Sequence, residues 1–425
     1  MNVVMGIVGM ATLISIAVIF SSNRRAINIR TVTGAFLIQL GIGAFVLFTP
    51  IGRETLEWMS SVVGSVIDCG QQGINFVFGS LATGNLEEPK DGKLGFLFAF
   101  RVLPVIIFFS SFIAVLYHLG IMQLVIRILG GALQWVLQTS RTESMSATAN
   151  IFVGQTEAPL VVKPFIAKMT ESELFAVMCG GLASVAGSVL AAYAGLGVKM
   201  EYLIAASFMA APGGLLFAKI IVPETNHPND SAVPESDKDD DKPGNVIDAA
   251  ALGASEGLKL ALNVGAMLLA FVGLIAVING LLGFCGTRIG YEGLSLELIL
   301  GKVFSPLAFL IGVPWSEASV AGSFIGQKLI SNEFIAYLNF APYLSGEKMI
   351  DGQQMSAHTQ AIISFALCGF ANLSSIAILI GGLGAMAPNR RQDIARLGLK
   401  AVLAGSLSNL MSGTIAGFFL ALQGI

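Results

Sequence analysis

ESMSATANIFVGQTEAPLVVKPFIAKMTESE, residues 143–173, is the stretch on which the fold turns. Its apolar runs are interrupted by Asn150, Gly154, Gln155, Thr156, Glu157, Pro159, Lys163 and Pro164. It is too interrupted to span a bilayer as one helix. It fits a re-entrant hairpin, which enters the membrane and turns back, because irregular backbone at that depth is tolerated only inside protein or beside water. A second stretch, PWSEASVAGSFIGQKLISNEFIAYLNFAPYLS at residues 314–345, has the same character, with Pro314, Glu317, Asn332, Glu333, Asn339 and Pro342 between apolar runs.

Around these two stretches the chain is built for lipid. Of 425 residues, 54% are hydrophobic and only 12% are charged, about half the charge that a soluble domain carries. The mean hydropathy of +0.77 agrees. Apolar runs near the roughly 20 residues needed to cross a bilayer fall at 1–20, 32–50, 96–117, 174–196, 202–222, 258–283, 357–384 and 396–422, which predicts eight spanning helices. Continuous apolar runs exclude the alternating strands of a β-barrel. Residues 1–20 read as a retained span and not a signal peptide, because Arg24, Arg25 and Arg30 follow the apolar stretch instead of preceding it. Residues 54–80, 118–140 and 295–311 read as amphipathic, with Trp58 and Trp135 suited to an interface.

Positive residues mark the cytoplasmic side. Arg24, Arg25 and Arg30, then Arg127 and Arg141, then Arg390, Arg391 and Arg396 all fall inside in one orientation, and the loop at Glu87, Glu88, Pro89 and Lys90 falls outside. Residues 223–250 read as a cytoplasmic linker, with Pro223, Pro228, Pro234, Pro243 and an acidic run from Asp237 to Asp241. Three spans separate the two hairpins, an odd number, so the hairpins enter from opposite faces. Two such units form an inverted repeat, the usual plan of secondary transporters. Cys179-Gly180 and Cys368-Gly369 open comparable segments, and Leu190 and Gly195 match Leu379 and Gly384 at the same offset.

An ionisable group at membrane depth costs several kcal/mol, roughly 2.5–3.5 on insertion scales, unless it is paired or solvated. Glu157 and Glu333 sit at equivalent places in the two hairpins. Either they occupy exposed loop tips or they point at a ligand near the midplane; Glu317 is a weaker third candidate. Asn150, Gln155 and Thr156 gather beside Glu157, and their oxygens suit a hard cation such as sodium or a polar organic ligand. Residues 180–188 and 369–375 are rich in small and hydroxyl side chains. Such helices either pack closely on a neighbour or unwind, and unwinding frees carbonyls for an ion. Asn372 and Ser375, one turn apart, favour a site in the second.

The cysteines, Cys69, Cys179, Cys285 and Cys368, are scattered singly, and His118, His227 and His358 share no spacing, so neither a disulfide framework nor a transition-metal site is indicated. There is no basic patch for nucleic acid, no nucleophile elbow and no phosphate-binding loop, which argues against an enzyme and against an ATP-driven pump.

Gly154-Gln155-Thr156-Glu157-Ala158-Pro159-Leu160 resembles the first-hairpin signature of the concentrative nucleoside transporters. Asn332-Glu333-Phe334-Ile335-Ala336-Tyr337 resembles their second-hairpin signature, and Phe370-Ala371-Asn372-Leu373-Ser374-Ser375 the motif of their seventh helix. Order and spacing match across the whole chain, in the short bacterial form. The resemblance implies an all-α transporter in the bacterial inner membrane, a homotrimer bathed in lipid, and uptake of uridine-like nucleosides coupled to sodium. It implies a scaffold region (1–117 and 258–283) and an elevator-like transport region (118–222 and 295–425). By the same resemblance Gln155, Thr156 and Glu157 face the nucleobase, with Val189 and Leu260 lining it. Glu333, Asn372 and Ser375 hold the ribose, with Phe370 nearby. Asn150 and Ser184 side chains, with the Val153 and Val185 carbonyls, form the sodium site. Proton coupling is the nearest alternative, and a polar-solute channel the alternative of another class.

Overall fold

The computed structural model describes residues 2–83, 97–226, 228, 243–291 and 293–424. The loop with Glu87, Glu88, Pro89 and Lys90, along with His227, Pro234 and the acidic run at 237–241, lies outside the described residues. Within them the chain is helical, with no strand. The main helices are α1 (Asn2–Ile19), α2 (Ile29–Phe48), α3 (Pro50–Phe78), α4 (Leu103–His118), α5 (Ile121–Leu137), α6 (Arg141–Ala149), α7 (Glu171–Ala183), α8 (Gly187–Gly195), α9 (Met200–Ile221), α10 (Val246–Arg288), α11 (Leu296–Leu310), α12 (Trp315–Ile330), α13 (Glu333–Leu344), α14 (Ala357–Leu367), α15 (Ser374–Met386) and α16 (Arg391–Leu422).

By length and composition, six segments can cross a membrane: Ile29–Phe48, Phe98–His118, Glu171–Gly195, Met200–Ile221, Val246–Arg288 and Pro388–Leu422. A seventh is the pair α11–α12, bent by 115°. Burial sorts them. The apolar windows of Glu171–Gly195 and Met200–Ile221 are each 94% buried, and that of Val246–Arg288 only 11%, so α7–α9 form the middle and α10 lies at the periphery.

Two departures from the sequence reading have physical causes. Residues 357–384, read as one span, are two helices, α14 and α15, because residues 368–373 leave the helix. And α10 starts at Val246, inside the stretch assigned to the linker, and runs 43 residues to Arg288. Its start is capped: Asp248 N donates to Asn245 Oδ1 (2.9 Å), and Gly244 N donates to the Asp248 carboxylate (2.8 Å). Its first turns dock on α4, where Ser111 Oγ donates to the Ala250 carbonyl (2.8 Å). Gly257 makes that approach possible, since a Cβ there would lie 2.7 Å from Ser110 Cβ.

The first hairpin stretch is bounded by two capping boxes. Ser140 N donates to Glu143 Oε2 (2.9 Å) at the start of α6, and Thr170 N donates to Glu173 Oε2 (2.9 Å) at the start of α7. Glu143 is buried and is neutralised by Lys219 of α9, whose ammonium also donates to Ser172 Oγ (2.9 Å). At this same end of the bundle Ser22 N donates to the Ile221 carbonyl (2.8 Å), Arg390 Nη1 to the Met169 carbonyl (2.5 Å), and Arg396 pairs with Glu171 (2.7 Å). Lys219, Arg390 and Arg396, from distant parts of the sequence, thus gather at one end of the bundle.

Candidate functional site

Two interrupted helices meet in the core. Between α7 and α8, Ser184 and Ala186 take extended backbone angles. Between α14 and α15, residues 368–373 do not form a helix. The breaks touch: Phe370 N donates to the Ser184 carbonyl (3.1 Å). Behind them, Asn409 of α16 donates its amide to the Ala183 carbonyl (2.5 Å) and the Cys368 carbonyl (2.9 Å). Carbonyls released by unwinding are thereby satisfied without water. Gly369 is required for this, because a Cβ there would overlap the Asn409 amide. Gly369→Ala should cost about 1–3 kcal/mol as overpacking, seen as a lower melting temperature of the detergent-solubilised protein; unchanged melting would mean that Asn409 can move aside.

Each hairpin stretch docks on the break of its own half through one main-chain hydrogen bond. Gly187 N donates to the Phe152 carbonyl (3.0 Å), and Leu373 N donates to the Leu329 carbonyl (3.1 Å). The first tip lies flat on α7 because Gly180 and Gly181 have no side chain. A Cβ on Gly180 would sit 3.0 Å from Asn150 Nδ2, and one on Gly181 2.9 Å from Gln155 Cβ. The second tip turns through Ser331 and Asn332, and Asn332 Oδ1 caps α13 by accepting from Ile335 N (2.9 Å).

Glu333 is the first residue of α13 and is only 5% exposed. Its Oε1 accepts from the Tyr193 hydroxyl (3.0 Å) and its Oε2 from Asn372 Nδ2 (3.0 Å). Asn372 is oriented in turn, since its Oδ1 accepts from Ser375 N (2.9 Å) and Ser374 Oγ (2.7 Å). Gln155 Nε2 reaches Ser375 Oγ (3.4 Å) and closes a chain from the stretch at 143–173 to that at 314–345. Gln155 Oε1 is buried and has no partner, so a donor from a ligand would satisfy it.

The remaining residues singled out by sequence take varied places. Val189 is buried one turn before Tyr193 on α8, and Phe370 is half-buried at the second break. Thr156 packs toward α15, where a Cβ on Gly382 would lie 3.2 Å from its methyl group. Glu157 is exposed, its carboxylate lying over Gly154 and within electrostatic reach of Glu256 on α10. Leu260 is half-buried on α10, and no described hydrogen bond or ring contact ties it to the Glu333 chain. Glu317 is engaged elsewhere, accepting from Ser356 N (2.9 Å) and Ser356 Oγ (2.8 Å). Sequence reasoning missed Tyr193, Lys328 and Asn409. Only Lys328 carried a signal, as a lysine inside a membrane hairpin.

Several of the oxygens expected to hold a cation are buried and not fully engaged. Asn150 is 1% exposed; its Nδ2 donates to the Ser146 carbonyl (2.9 Å), and its Oδ1 has no partner. Ser184 Oγ donates to the Gly180 carbonyl (2.9 Å), which leaves its lone pairs free. Among the described residues, no backbone hydrogen bond goes to the Val153 or Val185 carbonyl. A neutral set of amide, hydroxyl and carbonyl oxygens is the donor chemistry that a hard monovalent cation takes.

Comparisons with known proteins cover the whole arrangement. The sequence profile described as Na+ dependent nucleoside transporter N-terminus matches residues 8–81, the one described as nucleoside recognition matches 99–200, and the one described as Na+ dependent nucleoside transporter C-terminus matches 202–417. The nucleoside permease NupC of Helicobacter pylori is 56% identical over 417 residues, covering 98% of each chain. The sodium/nucleoside cotransporter 1 of Mus musculus is 38% identical over 412 residues, 95% of this chain and 62% of the mouse protein. The solved structure of CNTnw in an inward-facing substrate-bound state is 60% identical, covers 100% of this chain and 99% of that one, and superposes with a TM-score of 0.95.

Proposed function

The chain belongs to the family of Na+-dependent, concentrative nucleoside transporters, and from that premise we propose that it imports nucleosides across a bacterial inner membrane together with sodium. It is a membrane transporter and not an enzyme. In this reading it has eight spans plus the two oppositely oriented re-entrant hairpins at 143–173 and 314–345, related as an inverted repeat. It works as a homotrimer, with residues 1–117 and 258–283 as scaffold and 118–222 and 295–425 moving as an elevator; the linker between them ends where α10 begins at Val246.

The observation that carries the reading is the Glu333–Asn372 pair, 3.0 Å apart and tied to both Tyr193 and Ser375. Ribose offers vicinal hydroxyls that both donate and accept. A carboxylate can accept from them, and an amide held at its oxygen keeps its N–H for donation. The base has fixed donor and acceptor edges. Gln155, with a free Oε1, and Thr156 and Glu157 beside it, can read such an edge while Val189 and Phe370 pack its faces.

Coupling follows from shared structure. Asn150, Val153 and Gln155 lie on one hairpin tip, and that tip rests on the break at 184–187 through the hydrogen bond from Gly187 to Phe152 (3.0 Å). A cation held by Asn150 Oδ1, Ser184 Oγ and the two valine carbonyls orders the segment that presents Gln155, and a nucleoside on Gln155 orders the cation's ligands. The assistance must be reciprocal.

The test is uridine uptake by purified protein in proteoliposomes. An inward sodium gradient should drive accumulation, and its removal should abolish it. Accumulation driven by a proton gradient without sodium would replace sodium by protons as the coupling ion. Non-saturable flux would make the protein a channel.

A further inference from the structure

The two halves solve the same problem with different means. In the first, the break beside the hairpin presents oxygens without a partner: Asn150 Oδ1 and the Val153 and Val185 carbonyls. In the second, a buried lysine lies beside the break. Lys328 is on α12, one residue before Leu329, whose carbonyl receives the hydrogen bond from the second break. Its side chain is buried. Its ammonium donates to the Ala366 carbonyl (2.8 Å) and to Asn409 Oδ1 (2.7 Å). Ala366 is in the last turn of α14, just before the chain leaves the helix. Asn409, its Oδ1 so engaged, turns its Nδ2 to the Ala183 and Cys368 carbonyls (2.5 and 2.9 Å). One ammonium therefore orients the amide that satisfies both breaks.

Lys328 also lies within electrostatic reach of Glu333. The buried ammonium is held by its two hydrogen bonds, to the Ala366 carbonyl and Asn409 Oδ1, and the Glu333 carboxylate acts on it at longer range. The two groups are not in direct contact: the carboxylate takes its hydrogen bonds from Tyr193 and Asn372.

We propose that Lys328 is a tethered cation, a positioning residue that does for the second helix break what a bound ion does for the first, and so holds Glu333 and Asn372 in register for the nucleoside. The proposal rests on the nucleoside reading of the site. It separates two kinds of dependence. Loss of an ion ligand in the first half is recoverable by more sodium. Loss of the lysine is not, because no soluble ion can replace a group supplied by the chain. It also assigns the lysine to the sugar side of the site, through Glu333 and Asn372, and leaves the base side untouched.

The experiment measures uridine and 3′-deoxyuridine binding to detergent-solubilised wild type, Lys328→Met and Lys328→Gln across a sodium titration. Melting temperature and elution volume report folding. Gln keeps an N–H donor on a shorter side chain and carries no charge. Both variants should bind uridine at least about tenfold more weakly at saturating sodium, with the sodium midpoint extrapolated for the bound state little changed, and should discriminate less between uridine and 3′-deoxyuridine. Wild-type uridine affinity in either folded variant overturns the proposal. So does a loss fully recovered by sodium, which would make Lys328 part of the ion site. Failure of both variants to fold would make the lysine a residue of the fold alone and overturn it too. If wild type itself binds no uridine, it is the nucleoside reading that fails.

Discussion

Glu333→Gln should leave the protein folded and reduce uridine affinity by roughly a hundredfold or more. The carboxylate would offer the ribose charge-assisted hydrogen bonds worth about 1.5–3 kcal/mol each, and the amide replaces one acceptor by a donor. The fold should survive because one arrangement of the new amide is satisfied. Asn372 cannot turn over, since its Oδ1 is held by Ser375 N (2.9 Å) and Ser374 Oγ (2.7 Å), so the glutamine oxygen must face Asn372 Nδ2. The new NH2 then faces the Tyr193 hydroxyl, which can accept. The sharper form is a cycle with deoxynucleosides. Removing a ribose hydroxyl should weaken binding to wild type more than to the variant, and the difference measures the contact itself. Equal losses in both proteins, or near-normal uridine binding by the variant, would remove Glu333 from the sugar subsite.

The second large effect is expected at Asn150. Asn150→Leu removes the buried Oδ1 that lacks a partner and adds no charge. The sodium midpoint for uridine binding should rise at least about tenfold, the order expected for one lost ligand oxygen. Uridine affinity at high sodium should fall less than at low sodium, because the nucleoside loses only the help the ion gave it. An unchanged midpoint would make Asn150 a packing residue beside Gly180. Loss of uridine binding at every sodium concentration would move it into the nucleoside subsite or the folding core. Set beside the Lys328 variants, Asn150→Leu gives a second, distinct sodium dependence, recovered by the ion where theirs is not.

Much of this arrangement is legible in the sequence because polar groups are costly in lipid. Asn150, Gln155, Glu157, Glu333 and Asn372 stand out from apolar surroundings, and two interrupted stretches separated by an odd number of spans imply opposed hairpins. The breaks are legible as possibilities only. Gly-Phe-Ala-Asn-Leu-Ser-Ser permits unwinding, but the reason it happens at residues 368–373 is the Asn409 amide, which comes from a different helix, and no local pattern announces it. Asn409, among the small and hydroxyl residues of α16, and Tyr193 in α8 read as ordinary helix contacts. The long α10 departs from the sequence reading for a related reason. Asp248, close behind the proline-rich acidic stretch, makes its first turn look like the linker, whereas the Gly253 and Gly257 face that packs on α4 is the informative one.

The three bonds that hold the tips and breaks together, Gly187 to Phe152 (3.0 Å), Leu373 to Leu329 (3.1 Å) and Phe370 to Ser184 (3.1 Å), are all between peptide groups. Peptide groups are the same whatever the side chain, so mutation cannot easily erase them. The frame and the side chains set upon it are therefore separately heritable. Val189, Thr156 and Phe370 can be exchanged while the seam beneath them stays closed. That makes this core a favourable starting point for selecting variants with altered base preference, with the changes confined to those three side chains and with the glycines, Asn409 and Lys328 left alone.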